Sequence, residues 1–140
     1  DWIYASPLAY DNSVYIGSKE GNLYSFDTDG KQRWAFKAGA GIASSIAASA
    51  GGLGFVGSED GYFYCLDLKA GEIKWAAKTD GGIISSPAIM DNMVYVGSKD
   101  GYLYSFGGNL PDLRTQAGNS LDSEPRKDGA VNLGQSHKKR

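Results

Sequence analysis

One phrase occurs three times in this chain, at intervals of forty residues. Val14-Tyr-Ile-Gly-Ser-Lys-Glu-Gly-Asn-Leu-Tyr-Ser-Phe-Asp27 returns as Gly54-Phe-Val-Gly-Ser-Glu-Asp-Gly-Tyr-Phe-Tyr-Cys-Leu-Asp67, and again as Val94-Tyr-Val-Gly-Ser-Lys-Asp-Gly-Tyr-Leu-Tyr-Ser-Phe-Gly107. A period of about forty, with turn residues at fixed offsets, marks an array whose units are each too small to enclose a core, so the units must stack on one another.

Each unit breaks into four short runs rich in Val, Ile, Tyr, Phe and Trp, the composition and length of β-strands. In the middle unit the expected strands are Ile42 to Ser49, Leu53 to Ser58, Tyr62 to Asp67 and Glu72 to Lys78. Glu20-Gly21, Asp60-Gly61 and Asp100-Gly101 sit where the second strand must reverse into the third, and glycine supplies the positive φ of a tight hairpin. Asp11-Asn12 and Asp91-Asn92 serve the first reversal. Four antiparallel strands in forty residues make one propeller blade, so the expected class is all-β. In the third run Tyr62, Tyr64 and Leu66 alternate with Phe63 and Cys65, which leaves neither face polar and predicts blades covered on both sides. Gly17, Gly57 and Gly97 stand inside second strands, where a neighbour must come close; a Trp ring is the expected neighbour.

Beyond the third strand, Cys65-Leu-Asp67-Leu-Lys-Ala-Gly71-Glu-Ile-Lys-Trp75 has the form small, Asp, Gly, Trp, and Ser25-Phe-Asp27-Thr-Asp-Gly30-Lys-Gln-Arg-Trp34 repeats it with one residue fewer. The pattern resembles the tryptophan-docking motif of the pyrroloquinoline-quinone (PQQ) repeat family, which comprises eight-bladed quinoprotein dehydrogenases and their non-catalytic relatives. Ser85-Ser86-Pro87 and Val94 to Gly101 are similar to that family's first and second strands, and the resemblance covers residues 1–107. It implies that Trp34 and Trp75 lie against neighbouring blades while Asp27, Gly30, Asp67 and Gly71 shape the turn before the last strand. Ser25 and Cys65 fill the small position.

The alignment predicts blades at about 1–37, 42–78 and 83–106, the third with three strands only. Propellers close with about four to eight blades, so the stretch is expected to need further blades or further copies. A missing initiator Met fits an excerpt of a longer protein, and the failure of the pattern after Phe106 fits the end of a propeller. Residues 108–140 contain none of the chain's aromatics, too little apolar surface to offset the cost of ordering, and are expected to form a disordered polar tail. The tail holds six Lys or Arg against four acids and the preceding body eight against twelve. That acidic body has no basic patch and disfavours nucleic-acid binding, and the closing Lys138-Lys139-Arg140 reads as a solvated charge run. No apolar run is long enough for a membrane helix.

Candidate chemistry is sparse. Cys65 stands at a small, buried motif position without an activating neighbour, and a single Cys excludes an internal disulfide. His137 is the lone His and falls in the tail, so a Ser-His-Asp triad or a His metal site has no components here. Asp27-Thr28-Asp29-Gly30 lacks the later acids of a calcium loop. Gly39-Ala40-Gly41 and Gly81-Gly82 precede strands and not helices, which removes the dipole that a phosphate cradle uses. In the quinoprotein family, the resemblance implies, calcium held by acid and amide side chains activates PQQ between a Trp and a disulfide of adjacent cysteines; none of these can be placed in this stretch. The expected function is therefore a non-catalytic, PQQ-like scaffold for protein partners or for the remaining blades, with self-association of the segment. The alternatives are a fragment of a PQQ-dependent dehydrogenase and the propeller appended to an adenylate-forming, acyl-activating enzyme. The compartment follows the choice, periplasmic for a bacterial scaffold or a quinoprotein and cytoplasmic for the appended propeller.

Overall fold

Alternating apolar residues and paired turn residues produce three four-stranded antiparallel sheets in series. The computed structural model describes residues 1–107 and the backbone of Val131–Asn132. The first blade comprises β1 (Leu8–Tyr10), β2 (Ser13–Gly17), β3 (Asn22–Asp27) and β4 (Gln32–Lys37). The second comprises β5 (Ala47–Ala48), β6 (Leu53–Gly57), β7 (Tyr62–Asp67) and β8 (Glu72–Lys78). The third comprises β9 (Ala88–Met90), β10 (Met93–Gly97), β11 (Tyr102–Gly107) and β12 (Val131–Asn132), and within every blade consecutive strands are neighbours.

The turns follow from their residues. Asp11 and Asn12 have φ of 46° and 54°, and Asp91 and Asn92 have 49° and 62°. Positive φ at both central residues is the type I′ geometry whose twist matches a two-residue hairpin, and short Asx side chains tolerate it. At the opposite rim Gly21, Gly61 and Gly101 turn β2, β6 and β10 back into β3, β7 and β11 with φ between 85° and 90°.

Two features depart from the sequence-based expectation. The first strand of the middle blade was expected over Ile42 to Ser49, yet only Ala47–Ala48 pairs within the blade. Two residues before it bond across blades instead: Ile42 N–H donates to Ser18 O and Ser45 N–H to Ser86 Oγ. The third blade was expected to stop at three strands, yet Val131 and Asn132 pair with Leu103 and Tyr102. The exposed edge of β11 presents unpaired backbone groups that a strand from any source can use. The remainder of the expected tail lies outside the described residues.

The hydrophobic core consists of two layers between blades. Tyr15 and Leu23 of the first blade meet Ile42, Ile46, Val56, Tyr64 and Leu66 of the second. Phe55, Phe63 and Cys65 of the second meet Ile83, Val94, Val96 and Tyr104 of the third. Full burial of such side chains contributes about 1.5–3 kcal/mol each, so the blades are held mainly by what lies between them.

Candidate functional site

The junctions between blades gather most of the residues that the sequence singles out. At the first junction, Asp27 closes the β3–β4 turn of its own blade: its Oδ1 accepts N–H bonds from Asp29 and Lys31 at 3.0 and 2.8 Å. Asp67 does the same in the next blade, accepting from Lys69 and Ala70 at 2.8 and 3.1 Å. Gly30 and Gly71 take the positive φ these turns require, 82° and 74°. Trp34 then reaches across, its Nε1–H donating to Leu68 O at 3.1 Å, and the Tyr15 hydroxyl donates to the same carbonyl at 3.1 Å. The indole lies so close to Gly71 that a Cβ there would stand 2.5 Å from its Cδ2. In register, Ser25 is paired with Trp34 and Cys65 with Trp75. A small side chain beside each indole leaves it room to lean towards the next blade.

Trp75 has different company. Its ring centroid lies 6.1 Å from Phe55, 6.0 Å from Phe63 and 5.6 Å from Phe106, and the side chain is half-buried. Trp rings do not cover the second-strand glycines, contrary to the expectation. Gly17 and Gly57 are covered by Ile42 and Ile83, each from the following blade, because the chain enters a blade directly over the second strand of the blade before it.

A second set of contacts is polar and was not foreseen. Asp60 Oδ2 accepts the Tyr64 hydroxyl at 2.7 Å and Gly39 N–H at 2.9 Å. Asp100 Oδ2 accepts the Tyr104 hydroxyl at 2.7 Å and Asp80 N–H at 3.1 Å. Each carboxylate thus ties its hairpin to the connector arriving from the blade before. Burial raises the Tyr64 phenol above its ordinary range, and the adjoining carboxylate raises it further; Tyr104 behaves alike. For Asp100, burial acts to raise the carboxyl, but the bonds from Tyr104, Tyr102, Ser98 and Asp80 outweigh it and hold the group below its ordinary value. The repeat of Asp with Tyr four residues on, present in the second and third units and replaced by Glu20 and Tyr24 in the first, was the available signal.

At the inner edge a serine ladder runs from blade to blade. Ser6 N–H donates to Ser45 Oγ at 3.0 Å and Ser45 N–H to Ser86 Oγ at 3.1 Å. Lys19, Glu59 and Lys99, equivalent in the three units, form a charge ladder, with Glu59 3.2 Å from Lys19 and 4.0 Å from Lys99. These exposed pairs align the blades more than they stabilise them.

Reactive groups are held out of use. Burial pushes the Cys65 thiol up to about 12; Lys74 opposes the shift and Asp67 adds to it. The nearby Lys74 was not anticipated, yet burial outweighs it. Ser25 Oγ is buried with no hydrogen-bond partner among the described residues. Among the described residues no group of three or more His, Cys, Asp or Glu is placed to hold a metal ion, and no helix is long and apolar enough to cross a membrane. The donor set implied for PQQ and calcium does not fit these residues. Cys65 has no adjacent cysteine, and the Asp27, Asp60, Asp67 and Asp100 carboxylates are bonded to their own turns and connectors.

Comparison with known proteins places these junctions in context. The family model described as outer membrane protein assembly factor BamB matches residues 19–110. A quinoprotein ethanol dehydrogenase of Pseudomonas aeruginosa is 37% identical over 79 residues, 56% of this chain and 12% of that protein. The outer membrane protein assembly factor BamB of Salmonella typhimurium is 28% identical over 95 residues, 61% of this chain and 24% of that protein. The chain therefore spans a quarter or less of the length of these relatives. Among solved structures, BamB from Moraxella catarrhalis superposes with a TM-score of 0.66 at 15% identity, over 74% of this chain and 31% of that one. The computationally designed Ika4 protein gives 0.67 at 18% identity, over 75% of this chain and 65% of that one.

Proposed function

The chain belongs to the PQQ-repeat family of β-propellers, and from that premise we propose that it is a non-catalytic propeller segment that serves as a scaffold for protein contacts. The observation that carries this reading is the use of its acids. Asp60 and Asp100 fasten hairpins to connectors, Asp27 and Asp67 close docking turns, and the one thiol is neutral and buried. Side chains committed to the framework leave the blade rims and loops as the surfaces on which a partner acts. Under this reading the segment works in the periplasm, the compartment that the resemblance implies for scaffold and quinoprotein alike. Its partners are proteins or further blades, and copies of the segment associate through apolar blade faces.

The second reading is a stretch of a PQQ-dependent dehydrogenase. It is favoured by one observation: the dehydrogenase relatives from Pseudomonas are 35–37% identical to this chain, against 28% for the BamB relative. Titration of PQQ with calcium into the longest natural protein that contains this chain separates the two. The scaffold reading expects no change in the cofactor spectrum and no dye-linked alcohol oxidation. Tight binding with oxidation overturns it.

A further inference from the structure

We propose that Asp80-Gly81, in the connector from the second blade to the third, is a site of spontaneous aspartyl isomerisation, and that the isoaspartate formed there loosens the junction of those two blades. The reaction needs only an aspartate, the amide nitrogen that follows it and water, so it holds for a scaffold and for a dehydrogenase alike.

Aspartate followed by glycine is especially prone to this chemistry, because no Cβ on the second residue blocks the attack. The Gly81 nitrogen adds to the side-chain carbonyl carbon of Asp80, and the hydroxyl of the protonated carboxyl leaves as water with the amide hydrogen. A succinimide ring remains. Water then opens the ring at either carbonyl, and opening at the main-chain carbonyl routes the backbone through the Asp80 Cβ and Cγ. No atoms are gained or lost overall, and nothing is oxidised or reduced.

Four such pairs lie among residues 1–107: Asp29-Gly30, Asp60-Gly61, Asp80-Gly81 and Asp100-Gly101. Two are locked at both reacting groups. Asp60 accepts from Tyr62 N–H, the Tyr64 hydroxyl and Gly39 N–H, and Asp100 accepts from Tyr102 N–H, the Tyr104 hydroxyl and Asp80 N–H. Their glycine N–H groups are engaged as well, Gly61 with Ser58 O and Gly101 with Ser98 O, both at 3.1 Å. Asp29 is exposed, but Gly30 N–H is held by Asp27 O at 3.1 Å. Asp80 is exposed too, and among the described residues neither its carboxylate nor the Gly81 N–H has a hydrogen-bond partner.

The fold accounts for this freedom. At the first connector, which has described blades on both sides, Ala40 occupies the place of Gly81, and its N–H is equally without an acceptor among the described residues. Gly39 occupies the place of Asp80, so the framework common to the two connectors provides no partner for a carboxylate there.

Both flanks of the pair are nonetheless pinned. Asp80 N–H is bonded to Asp100 Oδ2 at 3.1 Å, and Gly81 O accepts from Thr79 Oγ1 at 2.7 Å and from Ser98 Oγ at 3.1 Å. Two residues on, Ile83 N–H donates to Ser58 O at 2.9 Å, and the Ile83 side chain covers Gly57. There is no slack at Gly81 itself, where a Cβ would stand 2.5 Å from Asp100 N. An extra methylene in the main chain between these pins cannot be absorbed in place. It displaces the Asp80 clasp, or it lifts Ile83 from its glycine.

Prolonged incubation of the full chain at neutral pH and physiological temperature, followed by trypsin, tests the proposal. Cleavage after Lys and Arg puts the four pairs on separate peptides, residues 20–31, 38–69, 79–99 and 100–114. Isoaspartyl methyltransferase labelling with electron-transfer fragmentation locates the product. Isoaspartate is expected at Asp80 at a rate at least about tenfold above that at Asp60 and Asp100, where the carboxylate must first give up a charge-assisted hydrogen bond; Asp29 falls between. In urea that unfolds the chain the four rates converge. Asp80→Glu keeps the charge at an exposed position and disfavours the ring, so it abolishes the product in 79–99. Compared with that variant aged alongside, the aged wild-type chain shows faster hydrogen exchange at the Ile83 amide and unchanged exchange at Ile42. Equal rates at the four pairs in the folded chain, a faster rate at Asp60 or Asp100, or a 79–99 product that survives Asp80→Glu overturns the site. Accumulation at Asp80 with unaltered exchange at Ile83 leaves the site standing and overturns the loosening of the junction.

Discussion

The middle blade and its two neighbours are built from one repeated phrase, yet they differ in exposure. All of β6 is buried, and β7 is buried from Phe63 to Leu66. In the first blade β2 alternates between buried and half-buried, and in the third β10 does the same. Tyr64 is packed against Phe36, while its first-blade equivalent Tyr24 is half-exposed beside Phe26. The residues are nearly the same and the neighbours are not. In a stacked array, what a side chain contributes depends on whether both flanking units are present, more than on the unit's own sequence.

The largest test of that difference pairs Phe63 with Leu103. Phe63 is enclosed between the second and third blades, so Phe63→Ala is expected to cost about 3–5 kcal/mol in urea denaturation. Leu103→Ala, at the equivalent but only half-buried position of the third blade, is expected to cost about 1 kcal/mol. Equal losses would show that the third blade's outer face is covered. Gly57 and Gly97 come next. A methyl at Gly57 drives into Ile83 and is expected to cost about 1–3 kcal/mol, whereas Gly97→Ala stays within about 0.5 kcal/mol.

Alkali probes the same contrast through ionisation. The Cys65 thiol and the Tyr64 and Tyr104 phenols all have folded pKa values raised above their unfolded ones. Their contribution is therefore complete below the ordinary thiol pKa and is lost as pH rises through the folded values. Thermal unfolding is expected to be flat up to about pH 9 and to fall beyond it, and the native thiol should resist a disulfide reagent at pH 8. Rapid labelling of the native chain would show that the middle blade opens. The smallest effect belongs to Ser25. Its hydroxyl is buried with no partner among the described residues, at the position that Cys65 fills in the middle blade, so Ser25→Ala is expected to be neutral or to stabilise by up to about 1 kcal/mol.

Local chemistry made much of this architecture legible. Asp11-Asn12, Asp91-Asn92 and the three hairpin glycines announce turns because their backbone preferences act within two residues, and β7 and β8 span the runs expected from composition. The turns after β3 and β7 rest on contacts just as local, since Asp27 and Asp67 accept bonds from N–H groups two to four residues on. Apart from the reach of the two tryptophans, which the family resemblance implied, what crosses between blades was not legible. Ile42 over Gly17, Ser45 under Ser6 and Asp60 on Gly39 join residues about twenty to forty positions apart, and no local preference encodes such pairings. Only their recurrence in the next unit betrays them. Val131 and Asn132 gave no signal, because a two-residue strand takes its conformation from the open edge it joins.

The two rims of the blades also differ in how they tolerate length. Between Asp27 and Trp34 there is one residue fewer than between Asp67 and Trp75, and the middle unit is one residue longer before its second strand. Both changes fall in turns on one rim, where Gly30 and Gly52 have nothing within 4 Å. The opposite rim, with its hairpin glycines and connectors, keeps its spacing. Added loops, epitopes or tags therefore belong at residues 28–30 or 50–52, and an insertion of the same size at residues 39–41 would pull an isoleucine off its glycine and open the stack.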